Sequence, residues 1–451
     1  MAGGRLDGGD PGAVLTGVAV DSRAARPGDL FVALTGERTD GHRFIGDAVR
    51  RGASAVLARE DADVPDGTTA VRVDDPIAGL QRLAAGIRTR MTARLVAITG
   101  SSGKTITKEL TAAVSRARFA TVASEASFNN EIGVPLTILA AGVDTEVVVA
   151  EVGSRGVGHI EALMPVLRPD VSVVLNVGPA HIGLFGSMEN VRIAKGELVE
   201  GLAPEGVAVL NADDAAVAEM ASRTRGRTVT FGTGAGADVR AEDVTLSGDG
   251  TASFTLVSDG GRAEVSMRIP GEHLVSDALA AAAAGLVLGV ATDEAAAALS
   301  SADGPMWRMQ MVYAPEGWRV LNDAYNANPA STAAALKTLV TIGRGRRTWA
   351  VLGTMAELGE FSTAEHDRIG RLVVRLGVSR LIVIGEHARP LYEAARFEGM
   401  TLEEAGLVAD TDEAVAMLRA SLAPGDVVLV KASRAAGLER VALAIAGEAL
   451  A

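Results

Sequence analysis

Residues 95–110, LVAITGSSGKTITKEL, decide the architecture of this chain because they place a strand, a glycine turn and a helix in one order. The apolar run Leu95–Ile98 predicts a buried strand, and Lys104 and Thr105 open a segment with helical spacing. The small residues 99–103 form a turn whose backbone N–H groups can converge on an anion, and the helix N-terminus adds partial positive charge. The stretch therefore predicts a phosphate-binding loop.

Each residue of this loop has a role in that prediction. Lys104 would reach the outer phosphates of a nucleotide, and the Thr105 hydroxyl would bind the accompanying Mg²⁺. The first glycine stands only three positions before the glycine of the Gly-Lys pair, so the loop is a shortened variant of the usual pattern. The alternative interpretation is a plain glycine turn followed by a surface lysine. The cradle itself consists of Gly100, Ser101, Ser102 and Gly103.

The composition argues against several classes of protein. At 451 residues the chain is long enough for about three domains, and its net charge of −13 argues against nucleic acid as a partner. It has no cysteine, which excludes disulfides, thiolate metal sites and cysteine nucleophiles. Its longest apolar run, residues 278–291, is shorter than the roughly 20 residues that span a bilayer, and its N-terminus lacks the apolar segment of a signal peptide. We therefore expect a soluble, cytoplasmic protein without membrane insertion.

The pattern of apolar runs predicts an α/β fold in three domains. Short strands and helices alternate in a small N-terminal domain, residues 1–92. In residues 93–304 the alternation predicts a central P-loop domain with a parallel sheet and helices on both faces, with β-hairpins over residues 237–269. Residues 305–451 form a third, Rossmann-like α/β domain, with strands predicted at 318–321, 348–352, 381–384 and 427–430.

Polar residues follow the predicted strands of the central domain, where a parallel sheet is expected to bind its ligand. Glu151 ends one apolar strand, Asn176 lies near the end of the next, and His181 follows it. Each alone is explained by a capping carboxylate, a turn asparagine or a solvated histidine. Together, beside a phosphate loop, they predict a metal site, since Mg²⁺ with nucleotide prefers oxygen ligands and tolerates an imidazole less often.

Similar polar segments mark the other two domains. Residues 322–329, NDAYNANP, and residues 431–434, KASR, each follow a predicted strand of the third domain. In the N-terminal domain, Ser22 and Arg23 come after a strand, and an arginine there could bind a phosphate through two hydrogen bonds. The alternative for this pair is a turn without a ligand.

Taken together, the motifs resemble the Mur ligase family, and within it the ligases that add D-Ala-D-Ala. The resemblance covers nearly the whole chain, in order. It rests on DSRAARPGDLFVAL and DGH in the first domain; on TGSSGKT, FNNEIGVPLT, EVG, NVGPAH and AKGE in the second; on GEH and DALAA at the hinge; and on RMQ, NDAYNANP, AELGE with His366 downstream, and VKASR in the third.

The resemblance implies an ATP-dependent amide ligase. In this family ATP phosphorylates the carboxylate that ends a UDP-N-acetylmuramoyl-tripeptide, and the amine of D-Ala-D-Ala then attacks the acyl phosphate to give a peptidoglycan precursor. The implied cofactors are ATP and Mg²⁺, the latter at two sites, and we expect a monomer. Such chemistry consists mainly of placing two anions together and offsetting their repulsion with cations.

The same resemblance assigns roles to residues around the phosphate loop. It places Lys104 and Thr105 on the phosphates and a first Mg²⁺, and Glu151 and His181 on a second Mg²⁺ that bridges the γ-phosphate and the substrate carboxylate. Lys195, in AKGE, matches the family's lysine that carries a CO₂-derived carbamate, an anion that supports the metal. Without the family pattern, Lys195 would be interpreted as a helix-surface lysine.

Further residues are assigned to the nucleotide and to the first substrate. Ser22 and Arg23 would contact the uridine diphosphate. Asp277 stands where the family usually has asparagine. A carboxylate can accept a hydrogen bond from the adenine amino group but cannot donate one, so the residue does not imply strict selectivity for adenine. The implied nucleotide set is Asn130 beside the metal site, His273 and Asp277 facing adenine, Arg308 on the phosphates, Asp323 on the ribose, and Tyr325 and Asn326 beside the nucleotide.

Two other hypotheses compete with this one. Another Mur ligase would add a single amino acid such as meso-diaminopimelate or lysine, and it would carry a different arginine-bearing signature in the third domain, which is not found here. A P-loop nucleotide switch or scaffold without ligase activity would explain TGSSGKT but would leave Lys195 and the order of the three domains unexplained. Dependence of ATP hydrolysis on D-Ala-D-Ala separates the switch from the ligase.

Overall fold

The N-terminal part of the chain forms a five-stranded sheet that carries helices. The computed structural model describes residues 1–36 and 39–447. The elements of this part are β1 (Arg5–Asp7), β2 (Gly17–Ala19), β3 (Asp29–Val32), α1 (Ile45–Arg50), β4 (Ala55–Arg59), β5 (Thr69–Val73) and α2 (Pro76–Arg88). The strands lie in the order β1-β5-β4-β3-β2, and all are parallel except β1. The α/β character predicted for this part is confirmed.

Helix α2 begins where the sequence provides both a cap and a proline. The Asp75 side chain accepts a hydrogen bond from the N–H of Ile77, and Pro76 occupies the first turn, where no N–H donor is needed. At the other end of the helix, Arg88 Nη2 pairs with Asp170 at 2.9 Å. This buried arginine ties the N-terminal part to the sheet that follows.

The central part contains a nine-stranded sheet. Its elements are β6 (Arg94–Thr99), α3 (Lys104–Arg116), β7 (Thr121–Ala123), α4 (Gly133–Leu139), β8 (Val147–Glu151), α5 (His159–Leu167), β9 (Val171–Val174), α6 (Ile182–Phe185), α7 (Met188–Glu200), β10 (Val207–Asn211), α8 (Ala215–Ala218), β11 (Arg227–Gly232), β12 (Val239–Leu246), β13 (Thr251–Ser258), β14 (Gly261–Pro270), α9 (Leu274–Leu288) and α10 (Thr292–Ser301). The strand order is β14-β13-β12-β11-β10-β9-β6-β8-β7. From β7 to β12 the pairings are parallel, as the alternation of strands and helices predicts.

The antiparallel edge of this sheet confirms the predicted hairpins. Strand β13 pairs with β12 on one side and with β14 on the other. Gly250 and Gly261, at the two turns, have φ angles of +74° and +132°. Glycine adopts such angles without steric cost, so the turns fall where the sequence supplies it.

Helix α9 packs closely against α3 because its side chains are small. Ala280–Ala284 are fully buried, and a Cβ atom at Gly285 would lie only 2.3 Å from Val114 Cγ1. A larger side chain at this position would push the two helices apart. Since α3 begins at the phosphate-binding loop, this packing fixes the direction in which the loop points.

The third part contains a six-stranded sheet. Its elements are β15 (Gln310–Tyr313), β16 (Arg319–Asn322), α11 (Pro329–Ile342), β17 (Thr348–Leu352), α12 (Ser362–Arg375), β18 (Arg380–Ile384), α13 (Arg389–Glu398), β19 (Ala405–Val408), α14 (Thr411–Ser421), β20 (Val427–Lys431) and α15 (Glu439–Ala446). The strand order is β15-β16-β20-β17-β18-β19, with β15 antiparallel. The four predicted strands correspond to β16, β17, β18 and β20, and the two edge strands are additions. Residues 448–451 of the predicted third domain lie outside the described residues.

The central and third sheets share one hydrophobic core. Buried apolar residues form a continuous cluster from Val96 and Leu110 in the central part to Leu336 and Leu352 in the third. The opposite face of the third sheet has a separate cluster, which includes Trp349. Within the part of the chain that the structure describes, no helix combines the length and apolar character needed to cross a membrane.

Candidate active site

A cavity of about 1020 Å³ opens where the parallel strands of the central and third sheets end. Its wall includes Val20 from the N-terminal part, Lys104 and Glu151 from the central part, and Arg308 and Asp323 from the third. Binding at the carboxyl ends of parallel strands is the expected arrangement for open α/β sheets. The phosphate-binding loop, the predicted metal residues and the third-domain polar segment therefore face one space.

The phosphate-binding loop is held in shape by Asn176. Ser101 N–H donates to the Asn176 carbonyl at 3.1 Å, and Ser102 N–H donates to Asn176 Oδ1 at 2.9 Å. These two N–H groups are therefore already hydrogen-bonded to the protein. The predicted cradle, in which every N–H group of the turn faces the anion, is thus only partly formed. The N–H groups at the start of α3 remain for an anion, because the first turn of a helix has no intrahelical partners for them.

Gly103 must be a glycine in this loop. Its φ angle is +84°, and an added Cβ atom would lie 2.2 Å from Asp277 Oδ1. Gly100 is also confined, since its Cβ atom would lie 2.9 Å from that of Leu175. The loop thus approaches the neighbouring strand and helix more closely than any side chain would allow.

Lys104 is not the surface lysine of the alternative interpretation. Its Nζ donates to the Gly100 carbonyl at 2.7 Å, so the side chain folds back over the loop. Burial lowers the pKa of Lys104 below its usual value, and the nearby Glu151 opposes this effect. A cation in this position is available to an anion bound at the loop.

Thr105 and Glu151 are in direct contact. The Thr105 hydroxyl donates to Glu151 Oε2 at 2.8 Å, and Asn129 Nδ2 donates to Glu151 Oε1 at 2.6 Å. The carboxylate is buried, and Ser127 Oγ lies 3.1 Å from Thr105 Oγ1. Both oxygens of the carboxylate are therefore oriented by neighbours.

This donor set fits Mg²⁺ that is bound together with phosphates. A hydroxyl and a carboxylate side by side supply hard oxygen ligands, and Mg²⁺ with nucleotide typically takes one or two carboxylates plus phosphate oxygens and water. Among residues 1–36 and 39–447, no group of three or more His, Asp or Glu side chains could hold a metal ion by themselves. Phosphate oxygens or water would therefore complete a coordination shell here.

His181 lines the same cavity, on the side of the third domain. Its Nδ1 is hydrogen-bonded to the carboxylate of Glu357. Burial and the nearby Lys104 lower the pKa of His181, while Glu357 raises it in opposition. A neutral imidazole, the form that binds metals, is therefore favoured.

Lys195 is buried, which excludes the helix-surface interpretation. The residue is only 2% exposed, and its Nζ donates to Ser154 Oγ at 2.9 Å. Burial, together with the proximity of Lys104, holds the pKa of Lys195 well below its usual value. The Lys195 amine thus loses its proton more readily than the amine of a solvated lysine.

Asp277 lies beside the phosphate-binding loop. The Thr107 hydroxyl donates to Asp277 Oδ1 at 3.0 Å, and burial raises the pKa of this carboxyl to about 7. His273, one helical turn earlier, is exposed and lines the cavity with it. Both residues therefore face the cavity, and the adenine-facing role that the resemblance gives them stays a prediction.

The third domain contributes a cationic and a paired acidic group. Arg308 Nη2 donates to Ser127 Oγ at 3.2 Å, and the guanidinium lies 4.2 Å from the centre of the Tyr325 ring. Asp323 Oδ2 accepts from Lys431 Nζ at 2.5 Å, and Asp323 Oδ1 accepts from Met309 N–H at 3.1 Å. Each oxygen of Asp323 therefore already accepts one hydrogen bond from the protein.

Three predicted residues lie apart from this cluster or act differently in it. Asn130 lines the cavity, but its Oδ1 accepts from the N–H of Gly133 at 2.9 Å and so caps α4. Arg23 is exposed and forms an ion pair with Asp21. Its neighbour Ser22 is buried. Neither Ser22 nor Arg23 belongs to the wall of the cavity.

Several residues of the site were missed by the sequence analysis. Asn129, Ser127, Ser154, Glu357 and Lys431 each contact a predicted residue. Asn129, Glu357 and Lys431 stand inside motifs that had been recognised, FNNEIG, AELGE and KASR, so their position was a usable signal. Ser127 and Ser154 give no signal of their own, because serine is common in loops.

Sequence models of Mur ligase domains match most of this chain. Residues 14–98 match the Mur ligase family catalytic domain, residues 98–285 match the Mur ligase middle domain, and residues 307–434 match the Mur ligase glutamate ligase domain. The three matches follow one another in the order of the three sheets.

Relatives and solved structures agree with these matches. The chain is 43% identical to the UDP-N-acetylmuramoyl-tripeptide--D-alanyl-D-alanine ligase of Mycobacterium tuberculosis, over 96% of this chain and 92% of that protein. It is 35% identical to the enzyme of the same name from Escherichia coli, over 98% and 96%. The structure of MurF from Acinetobacter baumannii superposes with a TM-score of 0.84 at 29% identity, over 96% of this chain and 93% of that one. MurF from Thermotoga maritima in complex with ADP gives a TM-score of 0.83 at 27% identity, over 97% and 99%. The chain therefore belongs to the Mur ligase family.

Proposed function

We propose that this protein is an ATP-dependent ligase that joins D-Ala-D-Ala to a UDP-N-acetylmuramoyl-tripeptide in peptidoglycan precursor synthesis. The observation that carries the proposal is the convergence of Lys104, Glu151 and Arg308 on one cavity in a chain of this family. Relatives at 43% and 35% identity, each covering almost the whole chain, bear the name of that activity. We further propose that the protein acts as a monomer in the cytoplasm.

The reaction has two steps that balance without any other reagent. An oxygen of the tripeptide carboxylate attacks the γ-phosphorus of ATP, the bond to the β–γ bridging oxygen breaks, and ADP leaves. The amine of D-Ala-D-Ala then attacks the carbonyl carbon of the acyl phosphate. Inorganic phosphate leaves, the nitrogen loses a proton, and an amide bond remains.

The three domains divide the work between them. Residues 1–92 would bind the UDP-muramoyl substrate, residues 93–304 would bind ATP, and residues 305–451 would close on the nucleotide and the incoming dipeptide. Ser22 and Arg23 are proposed as contacts to the uridine diphosphate. Arg23 is exposed, so its guanidinium is accessible to a phosphate even while it pairs with Asp21.

Placement of charge is the main contribution of the central domain. The N–H groups at the start of α3 and the Lys104 ammonium would hold the β- and γ-phosphates, and Arg308 would approach them from the third domain. When bound, Mg²⁺ at Thr105 and a second Mg²⁺ at Glu151 and His181 would neutralise phosphate and carboxylate charge. Cations around both reactants lower the repulsion that otherwise keeps two anions apart.

Lys195 is proposed to carry a carbamate. Its neutral amine would attack the carbon of CO₂ and release a proton, which converts a neutral buried group into an anion. Burial favours the neutral amine that this step requires, and Ser154 can donate its hydroxyl hydrogen to the new carboxylate. The anion would then orient the groups that hold the metal.

The remaining residues proposed to contact the nucleotide also line the cavity. His273 and Asp277 would face adenine, with Tyr325 and Asn326 nearby and Asn130 at the phosphate end. Asp323 would contact the ribose hydroxyls. Since Lys431 already binds one oxygen of Asp323, a ribose hydroxyl would have to share that carboxylate with the lysine.

Phosphate release from ATP tests the proposal directly. The purified protein is given ATP with UDP-N-acetylmuramoyl-tripeptides that end in either meso-diaminopimelate or lysine, each with and without D-Ala-D-Ala. We expect release only when both substrates are present, together with a pentapeptide product of the expected mass.

Three outcomes contradict the proposal. In a parallel reaction, meso-diaminopimelate or lysine replaces the dipeptide and the UDP substrate lacks the third residue, and phosphate release there indicates another Mur ligase. Release that is independent of both substrates indicates a nucleotide switch. Release without an amide product indicates a hydrolase, and in that case the third domain does not bind the dipeptide amine.

A further inference from the structure

A loop of the third domain reaches across to His181. The Glu357 carboxylate is hydrogen-bonded to His181 Nδ1, and the Glu357 carbonyl accepts from the N–H of Gly183 at 3.1 Å. Arg155 Nη2 lies 3.6 Å from the same carboxylate. One residue of the third domain therefore contacts both the side chain and the backbone next to His181.

The two backbones meet at a pair of glycines. A Cβ atom at Gly183 would lie 2.4 Å from the Gly359 nitrogen, and one at Gly359 would lie 2.8 Å from Gly183 Cα. No side chain fits between them, so Glu357 is brought within hydrogen-bonding reach of His181 by main-chain contact. The pairing depends on the third domain being seated on the central one.

Both paired residues have a left-handed backbone. His181 has a φ angle of +58° and Glu357 one of +60°. Such angles are unfavourable for residues other than glycine, and they persist where surrounding structure enforces them, often at functional sites. The hydrogen bond between His181 and Glu357 thus joins two residues that both have an unfavourable backbone conformation.

The loop that carries Glu357 is fixed from behind. The buried imidazole of His366 accepts the N–H of Met355 at 3.0 Å through Nε2, and its Nδ1 donates to the Ser362 carbonyl at 2.7 Å. Ser433 Oγ accepts the N–H of Ala356 at 2.8 Å. Glu357 is thus presented by a rigid support rather than by a free loop.

We infer that Glu357 is a positioning residue that fixes the orientation of His181 when the third domain is seated. A carboxylate only accepts hydrogen bonds, so Nδ1 of a neutral His181 must carry the hydrogen and Nε2 keeps its lone pair. Histidines that bind metals are commonly held in this way by a carboxylate. This inference rests on the proposed function, in which His181 acts on the ATP side of the cavity.

The tautomer of His181 provides a test that needs no turnover. The six histidines are labelled with ¹⁵N, and the ring signals of His181 are identified by their loss in His181→Gln. Spectra are recorded with ADP and a chelator, so that neither catalysis nor metal contributes. We expect the Nδ1–H tautomer in the wild type and in Glu357→Gln, whose amide oxygen still accepts, and a mixture of tautomers in Glu357→Ala.

Steady-state kinetics provides the second readout. Glu357→Ala should lower kcat by about 10- to 100-fold, the usual effect of losing such a partner, while KM for ATP changes by less than about threefold. Glu357→Gln should retain kcat within about threefold of the wild type. Glu360→Gln, at an exposed glutamate of the same loop, should match the wild type in both readouts.

The outcomes separate this inference from the proposed function. An unchanged tautomer or an unchanged kcat in Glu357→Ala overturns the positioning role, and so does equal damage in the Gln and Ala variants. If the wild-type protein shows no release that depends on D-Ala-D-Ala, the proposed function fails, but the tautomer measurement still decides the role of Glu357. Thermal melting of each variant confirms that a loss is not due to unfolding.

Discussion

Asn328 Nδ2 donates to Ser102 Oγ at 2.9 Å, which places the start of a third-domain helix on the phosphate-binding loop. The same asparagine caps α11, since its Oδ1 accepts from the N–H of Ser331 at 2.8 Å. Arg308 adds a second contact by donating to Ser127. The third domain thus touches the residues that would hold phosphate.

We expect the third domain to close on the central one when nucleotide binds between them. A nucleotide bound between the phosphate-binding loop and Arg308 would hold the central and third domains together, so the free protein should be more expanded. We expect a smaller radius of gyration in X-ray scattering when an ATP analogue and the UDP substrate are added. Asn328→Asp keeps the helix cap but replaces the donor with a negative charge, and it should reduce the compaction. Equal radii for free and bound wild-type protein contradict the prediction.

Loss of the loop lysine should abolish turnover while leaving the fold intact. Lys104→Ala removes the cation from the phosphate site, and we expect kcat to fall by about 10²- to 10³-fold, as for the loss of other electrostatic stabilisers. Burial lowers the pKa of Lys104, which means that the free protein gains no stability from this charge, so the melting temperature should change little. Lys337→Ala, at an exposed lysine of α11, is the matched control. Activity of Lys104→Ala within about threefold of wild type would show that the site is wrongly assigned.

The sequence predicts those features that depend on neighbouring residues in the chain. The phosphate-binding loop, the hairpin turns at Gly250 and Gly261, and the strand that ends at Glu151 all follow from local apolar periods and glycine positions. Edge strands such as β15 and β19 were missed because they are short and partly exposed, so their apolar pattern is weak. The overall α/β class could be predicted from the sequence because an alternation of strands and helices allows few other arrangements.

Contacts between distant segments could not be predicted in the same way. The sequence favoured Asn130 at the metal site, but the amide that touches Glu151 belongs to its neighbour Asn129. Which of two adjacent side chains faces the cavity depends on the loop backbone, which no periodicity describes. The pairing of Glu357 with His181 depends on how two domains are seated, and this information is spread over the whole interface.

The buried carboxyl of Asp277 should make stability depend on pH. Its pKa rises from 3.8 in the unfolded chain to about 7 in the folded protein because of burial. Between these values the unfolded state loses the proton while the folded state keeps it, so stability falls as pH rises through this window and then levels off. Asp277→Asn does not titrate, and we expect it to melt at a higher temperature than the wild type at pH 8. The difference should shrink as the pH falls towards 4.5.

A surface variant separates this effect from a general change in charge. Asp259→Asn, in the exposed turn between β13 and β14, also removes a carboxyl, and it should keep the pH dependence of the wild type. Because Asp277 lies against Gly103 in the phosphate-binding loop, Asp277→Asn should also bind ATP more tightly above pH 7, where the wild-type carboxylate would repel phosphate. Parallel melting curves for wild type and Asp277→Asn across pH 4.5 to 8 would rule out the raised pKa.

The amine of Lys195 allows the most specific prediction. A lysine ammonium near bound Mg²⁺ would be repelled by several kcal/mol even at an intermediate dielectric constant, so the proposed site excludes the charged ammonium. A carbamate on the neutral amine would supply the opposite charge. Lys195→Ala removes the amine that would carry the carbamate and leaves a buried space beside Ser154. We expect this variant to be nearly inactive and to regain part of its activity when formate, acetate or propionate is supplied, because a short carboxylate can occupy the vacated anionic position.

A second inactive variant shows whether such rescue is specific. The same carboxylic acids should not restore Lys104→Ala, because that site lacks a cation and an added anion would only increase repulsion of the phosphates. Rescue of both variants would indicate a general effect of salt. If Lys195→Ala is fully active, or if it is folded and no short carboxylate restores it at any concentration, the buried amine does not carry a carbamate, and Lys195 serves as a neutral hydrogen-bond donor to Ser154.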